Sequence, residues 1–185
     1  RAAFIVGSRS RIDHPADERA DLDIIIYANN SDFYLRNTDW LQNLGNIWTT
    51  FAYKTSSGEP ERLTLFEGGY QVDMVFLASD ILYQLAKDRT VPVNFRRGVK
   101  VLADKDNVAG CIVPTEYKPA STPQVDNDAF VQAVNMFFFC SLYIAKQIVR
   151  GELWTAKAKE NDLRALLLTM MEWHAKALHG CDYDV

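Results

Sequence analysis

Short apolar runs alternate with turn-forming residues in the first half of the chain, up to about residue 104. Runs of this length that are bounded by glycine, proline or polar clusters are typical of β-strands. The pattern predicts six strands, at Ala2–Val6, Leu22–Tyr27, Asn46–Tyr53, Arg62–Glu67, Tyr70–Leu77 and Val99–Leu102. Ser31 and Gly45 are expected to bound one helix, and a second is expected to run from its cap at Ser79 through Lys87. The first half is therefore predicted to be a sheet with flanking helices.

The Gly68–Gly69 pair separates two of the predicted strands. Glycine accepts the positive φ that tight hairpin turns need, so the pair predicts a β-hairpin. If the loop has two residues, Glu67 pairs with Tyr70 and Thr64 pairs with Asp73.

The second half of the chain has helical rather than strand-like spacing of its apolar residues. One helix is predicted at about Asp128–Arg150, Gly151 should end or kink it, and another helical stretch should follow to Leu178. The segment Pro114–Asp128 contains three prolines and is predicted to be a linker. The fold class expected from these elements is α+β.

Composition and charge narrow the possible ligands. The chain has 185 residues, 48% hydrophobic content and a formal net charge of -4. This content suffices for one domain or two small ones, and the acidic balance favours a cationic ligand over a nucleic acid. Three widely spaced cysteines indicate free thiols rather than disulfides or a zinc site.

No apolar run approaches the ~20 residues of a membrane span, and the first residues lack a signal-peptide pattern. The chain is therefore expected to be soluble and cytoplasmic, with no membrane partner. Because Arg1 stands at the edge of a predicted strand, the natural amino terminus is expected to be missing.

The residues that indicate chemistry begin with Gly7-Ser8-Arg9, after the first strand, and with Asp21 and Asp23 at the start of the second. Side chains alternate along a strand, so Asp21 and Asp23 point to one face and can share a divalent cation. The apolar run after them predicts a central strand. A glycine-serine turn that leads from a strand into a helix is suited to holding phosphate oxygens.

Asp73 lies inside another apolar strand, where a carboxylate needs a partner. A neighbouring strand carrying the acid pair and a metal would supply one. Taken singly, the turn is usually structural, the acid pair is often a solvated loop or a cap, and Asp73 could lie at a strand edge. Their combination predicts a phosphate-handling site.

This arrangement resembles the DNA polymerase β-like nucleotidyltransferase superfamily, whose pattern is GS, then [DE]x[DE], then one later acid on an adjacent strand. The finer resemblance is to the aminoglycoside 6-adenylyltransferases, also called streptomycin adenylyltransferases. It is carried by GSRSRIDHPADERADLDIII, LTLFEGGYQVDMVFL, VKVLADKD and FVQAVNMFFFCSLYIAKQIVRGELW. This chain has Met136 where the family helix usually has an acid.

The resemblance implies a nucleotidyltransferase-type mixed β-sheet with flanking helices in residues 1–118. An α-helical domain follows in residues 119–185 and is expected to continue further, as it does in the family. The implied reaction moves AMP from ATP to a hydroxyl of an aminoglycoside such as streptomycin, with release of pyrophosphate, and confers antibiotic resistance.

The resemblance also implies site residues. Asp21, Asp23 and Asp73 would be catalytic and would hold two Mg²⁺ ions about 4 Å apart. Asp73 is the candidate general base, with a metal-bound hydroxyl as the alternative. ATP is the expected co-substrate, and Gly7 and Ser8 would bind its phosphates.

Two cationic residues are further candidates for nucleotide binding. Arg9 would contact a phosphate or form a surface ion pair. Lys146 shares a helical stripe with Asn135, Leu142 and Arg150, and would reach the triphosphate or extend along the helix margin into solvent.

The cationic acceptor requires negative charge nearby. The candidates are four acids that could equally be solvated surface charges: Glu59, Glu61, Glu67 and Asp80. The oligomeric state is not predicted.

Three alternatives remain. The same fold could modify a protein or nucleic acid, although the acidic composition disfavours nucleic acid. A non-catalytic nucleotide-binding module is disfavoured because all three acids are present. A helical interaction domain on an inert α/β unit is supported only by Phe137-Phe138-Phe139, and such runs usually lie in a core.

Overall fold

A computed structural model describes residues 1–12, 16–117, 125–181 and 183. The chain divides into two compact units, Arg1–Ala120 and Ser121–Val185. The predicted domain boundary between residues 118 and 119 lies outside the described residues and stays a prediction.

The first unit contains a six-stranded mixed sheet in the order β3-β4-β5-β2-β1-β6. Its strands are β1 (Ala2–Val6), β2 (Leu22–Ala28), β3 (Ile47–Lys54), β4 (Pro60–Phe66), β5 (Tyr70–Ala78) and β6 (Lys100–Asp104). Strands β2 and β5 are parallel, and the other neighbours are antiparallel. All six predicted strands are confirmed, with ends that differ by at most two residues, and the α+β class is confirmed with them.

Each face of the sheet carries an apolar core. Phe4, Ile25 and Tyr27 belong to one buried cluster, whereas Met74 and Phe76 belong to another. Because side chains alternate, the odd-numbered residues of β2 and β5 share the first face and the even-numbered residues share the second. The central position of β2 agrees with its apolar sequence.

The first helix, α1 (Ser31–Arg36), is shorter than predicted. Asn30, not Ser31, caps it by accepting a hydrogen bond from the Phe33 N–H. At Asn37 the backbone becomes extended, and a separate 3₁₀ turn follows at Asp39–Asn43. The prediction of one helix up to Gly45 was wrong because Asn37 diverts the backbone: its side chain accepts from the Asp39 N–H.

The second helix, α2 (Ser79–Asp88), is confirmed, but its predicted cap is not. Ser79 is the first helical residue and is buried, while Ala78 occupies the capping position without a side-chain hydrogen bond. The helix ends at Arg89, which adopts a left-handed conformation with φ 49°.

The β4–β5 hairpin has a three-residue loop instead of the two-residue loop considered from the sequence. Phe66 pairs with Tyr70, and Leu63 pairs with Asp73. Both loop glycines have positive φ, as expected. The extra loop residue shifts the register by one, so that Glu61, two residues from Leu63, shares the face of Asp73.

The second unit is a pair of helices, α3 (Asn127–Val149) and α4 (Leu153–His179), joined at Gly151 with φ 78°. Both predicted helices and the break at Gly151 are confirmed. The Asp126 carboxylate caps α3 by accepting from the Ala129 N–H at 2.7 Å. Several large apolar side chains of this unit are exposed, including Phe138, Phe139 and Trp154.

By length and hydropathy alone, α3 could cross a membrane. A single helix of this kind is weak evidence, since core helices of soluble proteins also meet the criterion. The expected absence of a membrane segment therefore stays a prediction.

Candidate active site

Three carboxylates meet at the start of the parallel pair β2 and β5. Asp21 immediately precedes β2, and Asp23 is aligned with Asp73 in the β2–β5 register. One oxygen from each of the three lies within 4.8 Å of the others. Within the described residues, no other three potential metal ligands form such a group. The structure thus brings together the three acids singled out from the sequence.

Burial and the charges of neighbouring acids disfavour the charged states of Asp23 and Asp73. The pKa of Asp23 is raised to about 6, first by burial and then by the charges of Asp21, Asp73 and Glu61. Burial also raises the pKa of Asp73, opposed by hydrogen bonds from Gln71 Nε2 at 3.2 and 3.3 Å. A bound divalent cation would offset this repulsion.

The donor set fits Mg²⁺. Carboxylate oxygens are hard ligands of the kind that Mg²⁺ prefers. Gly7, with φ 67°, makes room for one of them, because a Cβ atom there would lie 2.0 Å from Asp23 Oδ2. The glycine of the Gly7-Ser8 motif therefore serves the acid group as well as the turn.

The Gly7-Ser8 motif forms a turn rather than the start of a helix, as far as residues 8–12 show. The Ser10 N–H donates to the Gly7 carbonyl at 3.1 Å, and Ser10 Oγ bonds the carbonyls of Gly7 and Gly98 at 3.0 and 2.9 Å. These bonds close the turn without helical hydrogen bonds.

Ser8 has unused hydrogen-bonding capacity. Its hydroxyl oxygen is buried and has no hydrogen-bond partner among the described residues. Leaving such a group unsatisfied costs about 1–3 kcal/mol. A polar ligand beside the turn would remove that cost, in keeping with the predicted role of Ser8.

The Arg9 guanidinium binds backbone carbonyls, and its contact with a phosphate stays a prediction. Its Nε donates to the carbonyls of Ala20 and Asp21 at 2.9 and 3.0 Å, and its Nη2 donates to those of Glu18 and Ala20. A phosphate or an ion-pair partner was predicted for Arg9 from the sequence, and these backbone carbonyls were not.

A small cavity of about 200 Å³ adjoins the acids. Asp23, Asp73, Glu59, Glu61 and Asn94 are among its lining residues. Glu59 and Glu61 are two of the acids considered for a cationic acceptor. Asn94 was not predicted, because it stands in a single 3₁₀ turn, Val93–Phe95, which is too short to give a periodic sequence pattern.

The other two acids considered for the acceptor lie elsewhere. Glu67 accepts a hydrogen bond from Asn46 Nδ2 at 2.7 Å near the β4–β5 hairpin. Asp80 is an exposed residue in the first turn of α2. Neither lines the cavity beside Asp73.

A larger groove of about 1050 Å³ contains none of the three acids. Its lining includes Arg9, Leu22, Ile24 and Met74. The even-numbered strand residues place it on the sheet face opposite Asp23. Although it is larger than the cavity beside Asp73, this groove is not the place where the three acids could bind a metal.

Lys146 is an exposed residue of α3 in the second unit. Its carbonyl accepts from the Arg150 N–H at 3.1 Å. Contact between its ammonium group and a nucleotide stays a prediction.

The model of the streptomycin adenylyltransferase family matches residues 1–185. The chain belongs to the streptomycin adenylyltransferase family. The resemblance inferred from the glycine-serine turn and the three acids is thereby confirmed.

Two similar proteins carry the name aminoglycoside 6-adenylyltransferase. The chain is 29% identical to the protein from Staphylococcus aureus over 97% of its own length and 64% of the relative's. It is 25% identical to the protein from Bacillus subtilis over 100% of its length and 66% of the relative's. The chain thus spans just under two thirds of these relatives.

A crystal structure of an aminoglycoside 6-adenyltransferase from Bacillus subtilis is similar at 22% identity and a TM-score of 0.35, covering 89% of this chain and 64% of that one. The low TM-score adds nothing to the assignment of the fold, which rests on the sheet and helices described above.

Proposed function

We propose that this chain is the catalytic part of an enzyme that transfers AMP from ATP to a hydroxyl of an aminoglycoside such as streptomycin. Pyrophosphate is the second product, and the reaction would inactivate the antibiotic. The observation that carries the proposal is the convergence of Asp21, Asp23 and Asp73 in a chain of this family.

Asp21, Asp23 and Asp73 would hold Mg²⁺, with two ions proposed. When bound, Mg²⁺ would neutralise charge on the triphosphate and on the departing pyrophosphate. Gly7 leaves the space that the Asp23 carboxylate occupies, so this residue contributes by its lack of a side chain.

The chain's own groups would orient the reactants. The buried Ser8 hydroxyl and the backbone of the turn would hold phosphate oxygens, and Lys146 is the proposed cation for the triphosphate. The acceptor hydroxyl oxygen would form a bond to the α-phosphorus as the bond from that phosphorus to the pyrophosphate oxygen breaks. The hydroxyl proton would pass to the Asp73 carboxylate.

The acceptor is proposed to be cationic because acids surround the reacting position. Glu59 and Glu61 line the same cavity as Asp23 and Asp73. Positive groups on an aminoglycoside would lower the cost of keeping these carboxylates ionised together. ATP is a cytoplasmic nucleotide, so the reaction is expected in the cytoplasm.

The test is incubation of the protein with ATP, Mg²⁺ and a panel of aminoglycosides, followed by mass spectrometry. The expected product carries one added AMP, and Asp23→Asn should abolish its formation. AMP found on a protein or RNA in parallel incubations, with none on any aminoglycoside, would contradict the proposed acceptor. No AMP transfer to any of them would contradict the activity.

A further inference from the structure

Arg9 joins the phosphate-binding turn to the segment that carries the first metal ligand. Its guanidinium donates to three backbone carbonyls of that segment, those of Glu18, Ala20 and Asp21. The next residue, Ser10, links the turn to a second segment through the bond from Ser10 Oγ to the Gly98 carbonyl. Two adjacent residues therefore attach the turn to two other parts of the first unit.

The guanidinium of Arg9 lies away from the acid face. Arg9 lines the large groove together with Leu22 and Ile24. These residues alternate along β2 with Asp23, so their side chains project from the opposite face of the sheet. An Arg9 side chain in this position supports the backbone from behind the acids.

Asp21 needs such support because it lies outside the sheet ladder. The β1–β2 register ends at Asp23, and the β2–β5 register begins at Leu22. The neighbouring carboxylates of Asp23 and Asp73 repel Asp21. The hydrogen bonds from Arg9 to the carbonyls of Ala20 and Asp21 help to keep Asp21 close to them.

We propose that Arg9 is a positioning residue that fixes the backbone of residues 18–21 and so holds the Asp21 carboxylate against Asp23 and Asp73. This inference rests on the proposed function, since it assigns the three acids to a metal. Arginine suits the role because its planar fork of donors binds several carbonyls at once, which a lysine ammonium does less well.

The test measures binding of Mn²⁺ alone, without nucleotide, by electron paramagnetic resonance. Outer-shell partners of metal ligands typically contribute 10- to 100-fold to metal affinity, so Arg9→Ala should weaken Mn²⁺ binding by about 10-fold or more. Arg9→Lys should recover only part of the loss. Arg19→Ala, which removes an equal charge from the same segment, is the matched control and should stay within about twofold of the parent.

A double-mutant cycle shows whether Arg9 affects Mn²⁺ affinity through Asp21. In an Asp21→Asn background, Arg9→Ala should cause little further loss of Mn²⁺ affinity, since the ligand it positions is gone. Amide hydrogen exchange should also accelerate in residues 18–22 of Arg9→Ala. Circular dichroism shows whether each variant is folded. If Arg9→Ala does not fold, the Mn²⁺ affinity of Arg9→Lys is compared with that of the parent instead.

Three outcomes would overturn the inference. Parental Mn²⁺ affinity in Arg9→Ala, with a loss only when ATP is present, would show that Arg9 binds a phosphate directly. An additive loss in the Asp21→Asn background would show that Arg9 acts through another residue. If the parent bound no Mn²⁺, or if Asp23→Asn left Mn²⁺ binding unchanged, the metal site of the proposed function would be refuted. The inference about Arg9 would then be refuted as well.

Discussion

Replacing Gly7 with alanine tests whether the position of the Asp23 carboxylate controls catalysis. The new Cβ atom would lie 2.0 Å from Asp23 Oδ2 and 2.9 Å from Asp23 Cγ. Real Cβ contacts essentially never fall below 3.0 Å, so the Asp23 carboxylate and the turn must move apart by at least the difference of 1.0 Å. That movement takes Asp23 away from the position in which it meets Asp21 and Asp73.

The expected effects on rate and on stability differ in size. A misplacement of about 1 Å in a catalytic geometry can cost on the order of 10²-fold in rate. The backbone cost is smaller: alanine at φ 67° should reduce the free energy of unfolding by about 1–2 kcal/mol. A folded enzyme with a much lower rate is therefore expected.

Gly69→Ala is the matched control. Gly69 has φ 82°, and a Cβ atom there would have no other atom within 4 Å. Both variants should therefore lose similar stability in thermal melting, but only Gly7→Ala should lose AMP transfer and Mn²⁺ affinity. Equal rates in the two variants, or parental Mn²⁺ affinity in Gly7→Ala, would refute the reasoning.

The remaining predictions concern the acids. Asp73→Asn should lower kcat by at least ~10²-fold but leave ATP·Mg affinity within a few-fold of the parent. Asp23→Asn should lower the rate and also weaken nucleotide binding, measured by calorimetry. Near-parental kcat in Asp73→Asn would exclude Asp73 as the base. The raised pKa of Asp23, about 6, means that its ionisation destabilises the metal-free fold as pH rises from about 4 to 6. Mg²⁺ should accordingly raise the melting temperature more at pH 7 than at pH 5, and an equal gain in the parent and Asp23→Asn would contradict this. Acceptor binding should weaken with salt and in Glu59→Gln or Glu61→Gln, since charges that are partly open to solvent are screened over about 8–10 Å. Salt-independent titrations would argue against an electrostatic site.

Much of the fold follows from local sequence patterns. Strand and helix positions were predictable because period-two and helical spacings of apolar residues reflect which side chains each element buries. The spacing of Asp21 and Asp23 likewise placed two carboxylates on one face. The isolated acid in an apolar run, Asp73, indicated a third member of the site.

Other features depended on details that local patterns do not contain. The helix after β2 stops at Arg36 because Asn37 forms local hydrogen bonds. The spacing of apolar residues carries no information about such bonds. The β4–β5 loop length was decided by pairing along the whole hairpin, and it determined that Glu61, rather than Arg62, faces the acids.

The sequence by itself determined which residues could perform the chemistry, because carboxylates, glycine and serine have properties that do not depend on their surroundings. Only the tertiary structure decided which of them meet. The parallel pairing of β2 with β5 aligns Asp23 with Asp73, although 50 positions separate them in the chain. The tertiary structure also decides that Arg9 binds backbone carbonyls, since the partners of a long, flexible cation depend on which acceptors the folded chain brings within its reach.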